Sequence, residues 1–384
     1  MLAKTFDNVV NYLEYLFGYF GRIICQELME SLALAKLQKD IVLSNWMNQS
    51  RVGKNVLITG PHGFFKTTIL RIIYGLIKDN KELHINRLTS LSVSALRGSI
   101  SESRRKKTFY PPEAKVSDII INYELSTLDV EDKELTGNLQ SLLEDGTVRY
   151  ALIKFANPSV EIIEEAKQYG VTFEDGRLCY KGDASLWTST HTTDFLPASL
   201  KKTFIDRFVV VEVPKYLSKG VFNPEFVLDV IFKKKRNYVF EGILASKIQQ
   251  TLKNISITKE EFELASAVAE EVLRETLKSN INIKLVFNAR LVSEVLKSAI
   301  AFLAWHPKAT RTELKEYMKD KPLRYSQAKL PLDDILTDLL ESSPKTMKEL
   351  IESTGAKRTT ILWHLTTKLH AKEHPIKNKK LWSL

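Results

Sequence analysis

The chain has 384 residues and a formal net charge of +10, from 56 Lys+Arg against 46 Asp+Glu, and at roughly 100–200 residues per domain it holds two or three domains. With 44% hydrophobic and 27% charged residues, disorder as the main state is excluded, and the basic balance favours a polyanionic partner such as nucleic acid. Two cysteines in unrelated contexts, Cys25 and Cys179, exclude a disulfide framework and a thiolate metal site, and fit a reducing cytoplasm.

Residues 1–33 read as an N-terminal helical segment. Its most apolar stretch, Val9 to Cys25, carries Asn11, Glu14 and Arg22 and falls short of the ~20 apolar residues of a membrane span, so an amphipathic helix is expected and no membrane partner. Residues 34–214 read as an α/β core. Strand-type runs at Asn55–Ile58, Glu82–Ile85, Asp118–Ile121, Ala151–Ala156 and Val209–Val213 alternate with segments of helical period, the pattern of a mostly parallel sheet covered by helices. Residues 215–306 read as all-helical, with Thr258 followed by Glu260 and Glu261 as a capping signature. A polar connector, 307–330, contains a short helix at Arg311 to Met318, and 331–384 form a small domain.

Within the core, the strand NVLIT runs into Gly60, Pro61, His62, Gly63, Phe64, Phe65, Lys66 and Thr67, followed by Thr68 and a helical run. Strand, glycine-rich loop and helix in this order form a cradle for phosphates, in which backbone N–H groups face the oxygens, Lys66 neutralises them and the Thr67 hydroxyl reaches a magnesium ion. Phe65 departs from the general pattern, which has glycine there. Binding of a nucleoside triphosphate, ATP with Mg, follows from this loop; hydrolysis needs further residues. Glu124, in DIIINYELS directly after the strand, is the candidate for orienting an attacking water, while Tyr123 stands where the metal-side carboxylate is common.

Next come the helix EDKELTGNLQSLLEDG, the strand ALIKFANP ending with Asn157 and Pro158, LPASLKKTFIDRF with Arg207, and FNARLVSEVL with Arg290. With these motifs in this order, from about Leu34 to Trp305, the chain resembles the AAA+ ATPases, and among them the helix-2-insert group that includes the minichromosome-maintenance (MCM) helicases. The resemblance implies a P-loop parallel sheet with a helical lid over 215–306. It also implies that Asn157 is a polar sensor near the γ-phosphate, Arg207 an arginine finger reaching a neighbouring subunit, and Arg290 a second sensor in the lid. A homo-oligomeric ring coupling ATP to DNA remodelling or unwinding in replication follows from the same likeness. Two departures are expected: the 33 residues before the core leave no room for the MCM N-terminal DNA-binding region, and the usual pore hairpin is shortened. Another hairpin, VTFEDGRLCYKG, turns at Asp175-Gly176. The basic run Ser103 to Phe109, placed in the helix-2 insert, reads either as a nucleic-acid contact or as a solvated loop.

The segment from Pro331 reads as three helices and a hairpin, a winged helix-turn-helix. Lys357, Arg358, Thr359 and Thr360 begin the third helix, and Lys377, Lys379 and Lys380 lie in the wing, which makes duplex DNA the expected partner. From Ala356 to Leu384 seven basic residues face Glu373 alone. Docking of a protein partner is the other reading of this domain. Trp363 and Leu369 are expected in its core. For the whole chain two further readings stand beside the MCM-type motor: a hydrolysis-deficient, nucleotide-switched DNA scaffold or regulator, and a MoxR-like protein-remodelling ATPase.

Overall fold

A computed structural model describes residues 1–39, 41–47, 51–60, 63–102, 107–151, 158–191, 204–212, 237–279, 288–325, 336, 340, 344–354, 358–368, 371–376 and 379–383. The chain divides into two compact units, Met1–Ser266 with Leu296–Glu316, and Ala267–Val295 with Tyr317–Leu384.

The larger unit opens with helix α1 (Leu2–Leu37), which passes the expected boundary at residue 33 and leaves helical geometry only at Gly18 (φ 68, ψ −162), a conformation that glycine tolerates. Its first half is amphipathic, with Val9, Leu13 and Phe17 buried and Asn11 and Arg22 exposed. From Ile23 to Ala35 every residue is buried, so this half is a core helix. Inside that core the Lys54 ammonium donates to Glu27, Glu30 and Ser298, and Ser31 Oγ both donates to the Lys54 carbonyl and accepts from the Trp187 indole.

The central sheet has five strands: β1 (Val56–Thr59), β2 (Ile85–Leu88), β3 (Ile119–Asn122), β4 (Ser185–Thr190) and β5 (Val209–Glu212). Their order is β5-β1-β4-β3-β2 and every pairing is parallel. β1, β3 and β4 are buried along their full length, as strands covered on both faces must be. The chain leaves β1 into helix α2 (Lys66–Ile77) and later returns from β4 to β5 on the other side of β1. That reversal is a topological switch point, and ligands of open α/β sheets bind outside the strand ends there.

One expectation is corrected at this level. Of the expected run Ala151–Ala156 only Ala151 is described, at the end of the strand Thr147–Ala151, which pairs antiparallel with Arg177–Lys181 in a separate three-stranded sheet, and the places on either side of β1 are taken by β4 and β5. β4 escapes an apolar count because it reads SLWTST. Two of its buried hydroxyls are paired, Thr188 Oγ1 donating to Asn122 Oδ1 (3.0 Å) and Ser189 Oγ to the Tyr123 carbonyl (2.5 Å), while Ser185 Oγ has no hydrogen-bond partner among the described residues. The Asp175-Gly176 hairpin forms as read, both residues having positive φ (49° and 69°), the geometry of a type I′ turn. A second hairpin pairs Ser99–Glu102 with Lys107–Tyr110. Most of the basic run that begins at Ser103 lies outside the described residues.

In the smaller unit, helices Met347–Thr354 and Arg358–Trp363 pack with a three-stranded antiparallel sheet of Lys345–Thr346, Lys379–Ser383 and Lys372–Ile376. Leu336, Leu340, Leu350, Ile361, Leu365 and Trp382 form its core. Trp363 does not join them; it is 50% exposed, its ring edge-on to His364, whereas Leu369 lies outside the described residues. Thr346 and Glu349 close a reciprocal cap on the first of these helices, as Thr258 and Glu261 do at the helix Lys259–Ser279. No described helix is long and apolar enough to cross a membrane.

Candidate functional site: a glycine-rich loop at the C-terminal end of the sheet

The loop after β1 turns on residues in unusual backbone regions. Gly60 has φ 152 and Gly63 φ 81, and Phe65, the residue before α2, holds φ 53 in the left-handed region that glycine occupies without cost. The Phe65 ring packs against Phe17 of α1, with centroids 5.6 Å apart. That packing is what a glycine would lack, and it accounts for an aromatic residue at a position whose geometry suits glycine. The Gly60 N–H donates to the Thr190 carbonyl at 3.3 Å, which ties the loop to the end of β4.

Lys66 is buried and donates from Nζ to the Gly60 carbonyl at 2.7 Å. Burial pushes its pKa below the usual lysine value, and the Glu124 carboxylate opposes that shift. Thr67 and Thr68 follow, half-buried in the first turn of α2. Glu124 leaves β3 at the same end of the sheet, where its Oε1 accepts from Ser126 Oγ (2.8 Å) and Ser126 N (3.3 Å). His191, next after β4, brings Nδ1 to 3.9 Å from Glu124 Oε1. The C-terminal ends of β1, β3 and β4 thus bring together a lysine, a carboxylate, an imidazole and a loop with N–H groups at a helix N-terminus. Such a set can bind an anionic, phosphate-like group and orient a water beside it.

Several expected residues stand elsewhere. Pro61, His62, Asn157, Lys357 and Lys377 lie outside the described residues. Arg207 sits just before β5, whose Val209 pairs with the first residue of β1, so it is at the opposite end of the sheet from the loop, ion-paired with Glu144. Arg290 lies in the first turn of the helix Ala289–Trp305 and belongs to the smaller unit. Arg358, Thr359 and Thr360 are exposed in the first turn of their helix, while Lys379 and Lys380 begin the last strand.

The sequence reading missed four residues near the loop. Thr190 and His191 end a strand hidden by its hydroxyls, and Arg71 and Arg87 lie over the Tyr123 ring at 5.3 and 5.8 Å. The signal for the first two was the segment between the Asp-Gly hairpin and Arg207, which a sheet with its phosphate loop after β1 still had to fill. The magnesium expected with the nucleotide finds the Thr67 hydroxyl and the Glu124 carboxylate, but the phenol of Tyr123 stands at the position of the second acid, with two guanidinium groups over its ring. Magnesium prefers a near-octahedral shell of oxygens with carboxylate charge. The residues present do not fit it.

No family model and no curated protein matches the chain. Among solved structures it is similar to an inferred ATPase of Cytophaga hutchinsonii, with TM-score 0.44 and 11% identity over 83% of this chain and 85% of that one. A likeness this shallow fixes neither fold nor activity. The class the structure itself defines is a mixed α/β protein with a five-stranded parallel sheet and a phosphate-loop-like turn at its switch point.

Proposed function

We propose that the chain is an ATP-binding AAA+ protein of the MCM type that acts on DNA. The observation that carries this reading is the convergence of the Gly60–Thr67 loop, buried Lys66 and Glu124 at one end of the parallel sheet. In this reading Lys66 and the loop N–H groups hold the phosphates, Glu124 orients a water for in-line attack, and Asn157 is the polar sensor near the γ-phosphate. Arg207, far from its own chain's loop, serves the nucleotide of a neighbouring copy in a homo-oligomeric ring, and Arg290 acts from the lid. The C-terminal domain binds duplex DNA as a winged helix, through Arg358, Thr359 and Thr360 and the basic hairpin.

Tyr123 favours a second reading, in which nucleotide is a switch for DNA binding and is not hydrolysed. Steady-state ATP hydrolysis, with and without duplex DNA, separates the two. Turnover that DNA stimulates and Glu124→Gln abolishes supports the motor; bound nucleotide without turnover supports the switch. A chain that binds nucleotide and has no affinity for DNA would remove both readings in favour of a protein-remodelling ATPase.

A further inference from the structure

Beside the phosphate loop, the metal-side position is built for an anion. Tyr123 follows β3, and its phenolic oxygen is buried with no hydrogen-bond partner among the described residues. Arg71, from the second turn of α2, lies 5.3 Å from the ring centroid, and Arg87, from β2, lies 5.8 Å from it. Arg87 is also 5.8 Å from the Tyr74 ring, so two aromatic faces hold it. Both arginines are exposed, and neither meets a carboxylate among the described residues.

The charges decide what this corner can accept. A divalent cation arriving here meets two guanidinium groups over an aromatic ring, with the Glu124 carboxylate one residue further along the chain. Arg71 lies one turn beyond Thr67 on α2, and phosphate oxygens reaching toward it and Arg87 would meet two planar forks whose N–H geometry matches phosphate bidentately. The half-buried rings of Tyr74 and Tyr123 keep these forks in place without neutralising them, as a carboxylate partner would.

We propose that this chain holds the triphosphate of its nucleotide without a divalent cation, Arg71 and Arg87 supplying the positive charge that a metal ion would bring. This rests on the phosphate-loop reading and names how that site is neutralised.

The test is equilibrium binding of ATP by the full chain in excess EDTA and in excess magnesium, repeated with Arg71→Ala, Arg87→Ala, Arg87→Lys, Lys66→Ala and Tyr123→Asp, each checked for an unchanged unfolding midpoint. The expected result is comparable affinity in EDTA and magnesium. Each arginine-to-alanine change should weaken binding in EDTA by about tenfold or more, the worth of one charge-assisted hydrogen bond, with partial recovery in Arg87→Lys. Tyr123→Asp should make binding depend on magnesium. Binding that vanishes in EDTA, survives in magnesium and ignores both arginine variants overturns the inference while leaving the phosphate loop intact. Absence of binding in both media, or binding that Lys66→Ala leaves undiminished, overturns the loop reading and this inference with it.

Discussion

Phe65 holds a strained backbone that its packing on Phe17 offsets. A non-glycine residue at φ 53 costs about 1–3 kcal/mol, and the contact of its ring with Phe17, itself fully buried, compensates for it. Phe17→Ala should therefore destabilise by about 3–5 kcal/mol in urea unfolding. Phe65→Gly should cost clearly less, because it loses the ring and the strain together. Equal losses would mean that the backbone there is not strained. Lys66 gives a pH prediction. Its folded-state pKa is lowered by burial, so the unfolded chain binds more protons in the interval between that lowered value and the ordinary lysine value, and stability rises with pH across it. Anion binding runs the other way and should weaken as pH climbs into the same interval, since the proposed function assigns the ammonium to the phosphates. Binding flat across that interval would leave Lys66 without its role.

At the scale of elements, β4 and α1 carry the least obvious parts of the fold. Thr188→Val should strand the buried Asn122 oxygen and cost about 1–3 kcal/mol in thermal or urea unfolding. Lys54→Met leaves Glu27 and Glu30 buried without their cation and should cost about 3–5 kcal/mol; a loss under about 1 kcal/mol would mean that water reaches this cluster. What was legible in the sequence was local. The glycine-rich turn between β1 and α2, the Asp-Gly turn, the Thr258–Glu261 cap and the helix Arg311–Met318 each announce themselves within a few residues, because backbone geometry and capping are short-range demands. β4 was not legible, since its suitability for the core depends on partners such as Asn122 and Ser31 that lie 66 and 156 residues away. The stacking of Arg71 and Arg87 on Tyr123 is likewise a product of tertiary packing, and no spacing in the chain foretells it.

For the whole molecule the charge is unevenly placed: the chain carries +10, and seven of its basic residues face one acid in the last 29 positions. If duplex DNA lies on this domain, replacing Lys377, Lys379 and Lys380 with alanine should weaken binding and reduce the magnitude of the salt slope by about 0.9 for each phosphate that is no longer neutralised. An unchanged slope would move the basic hairpin off the DNA. All other functional assignments depend on a nucleotide in the loop after β1, and the measurement that tests this most directly is saturable ATP binding by the chain and by its Lys66→Ala variant at matched unfolding midpoints. Binding by the parent that is abolished in Lys66→Ala is the result expected from a buried lysine at the head of α2. Undiminished affinity in the variant would contradict the assignment of the phosphate loop, and with it the proposed function.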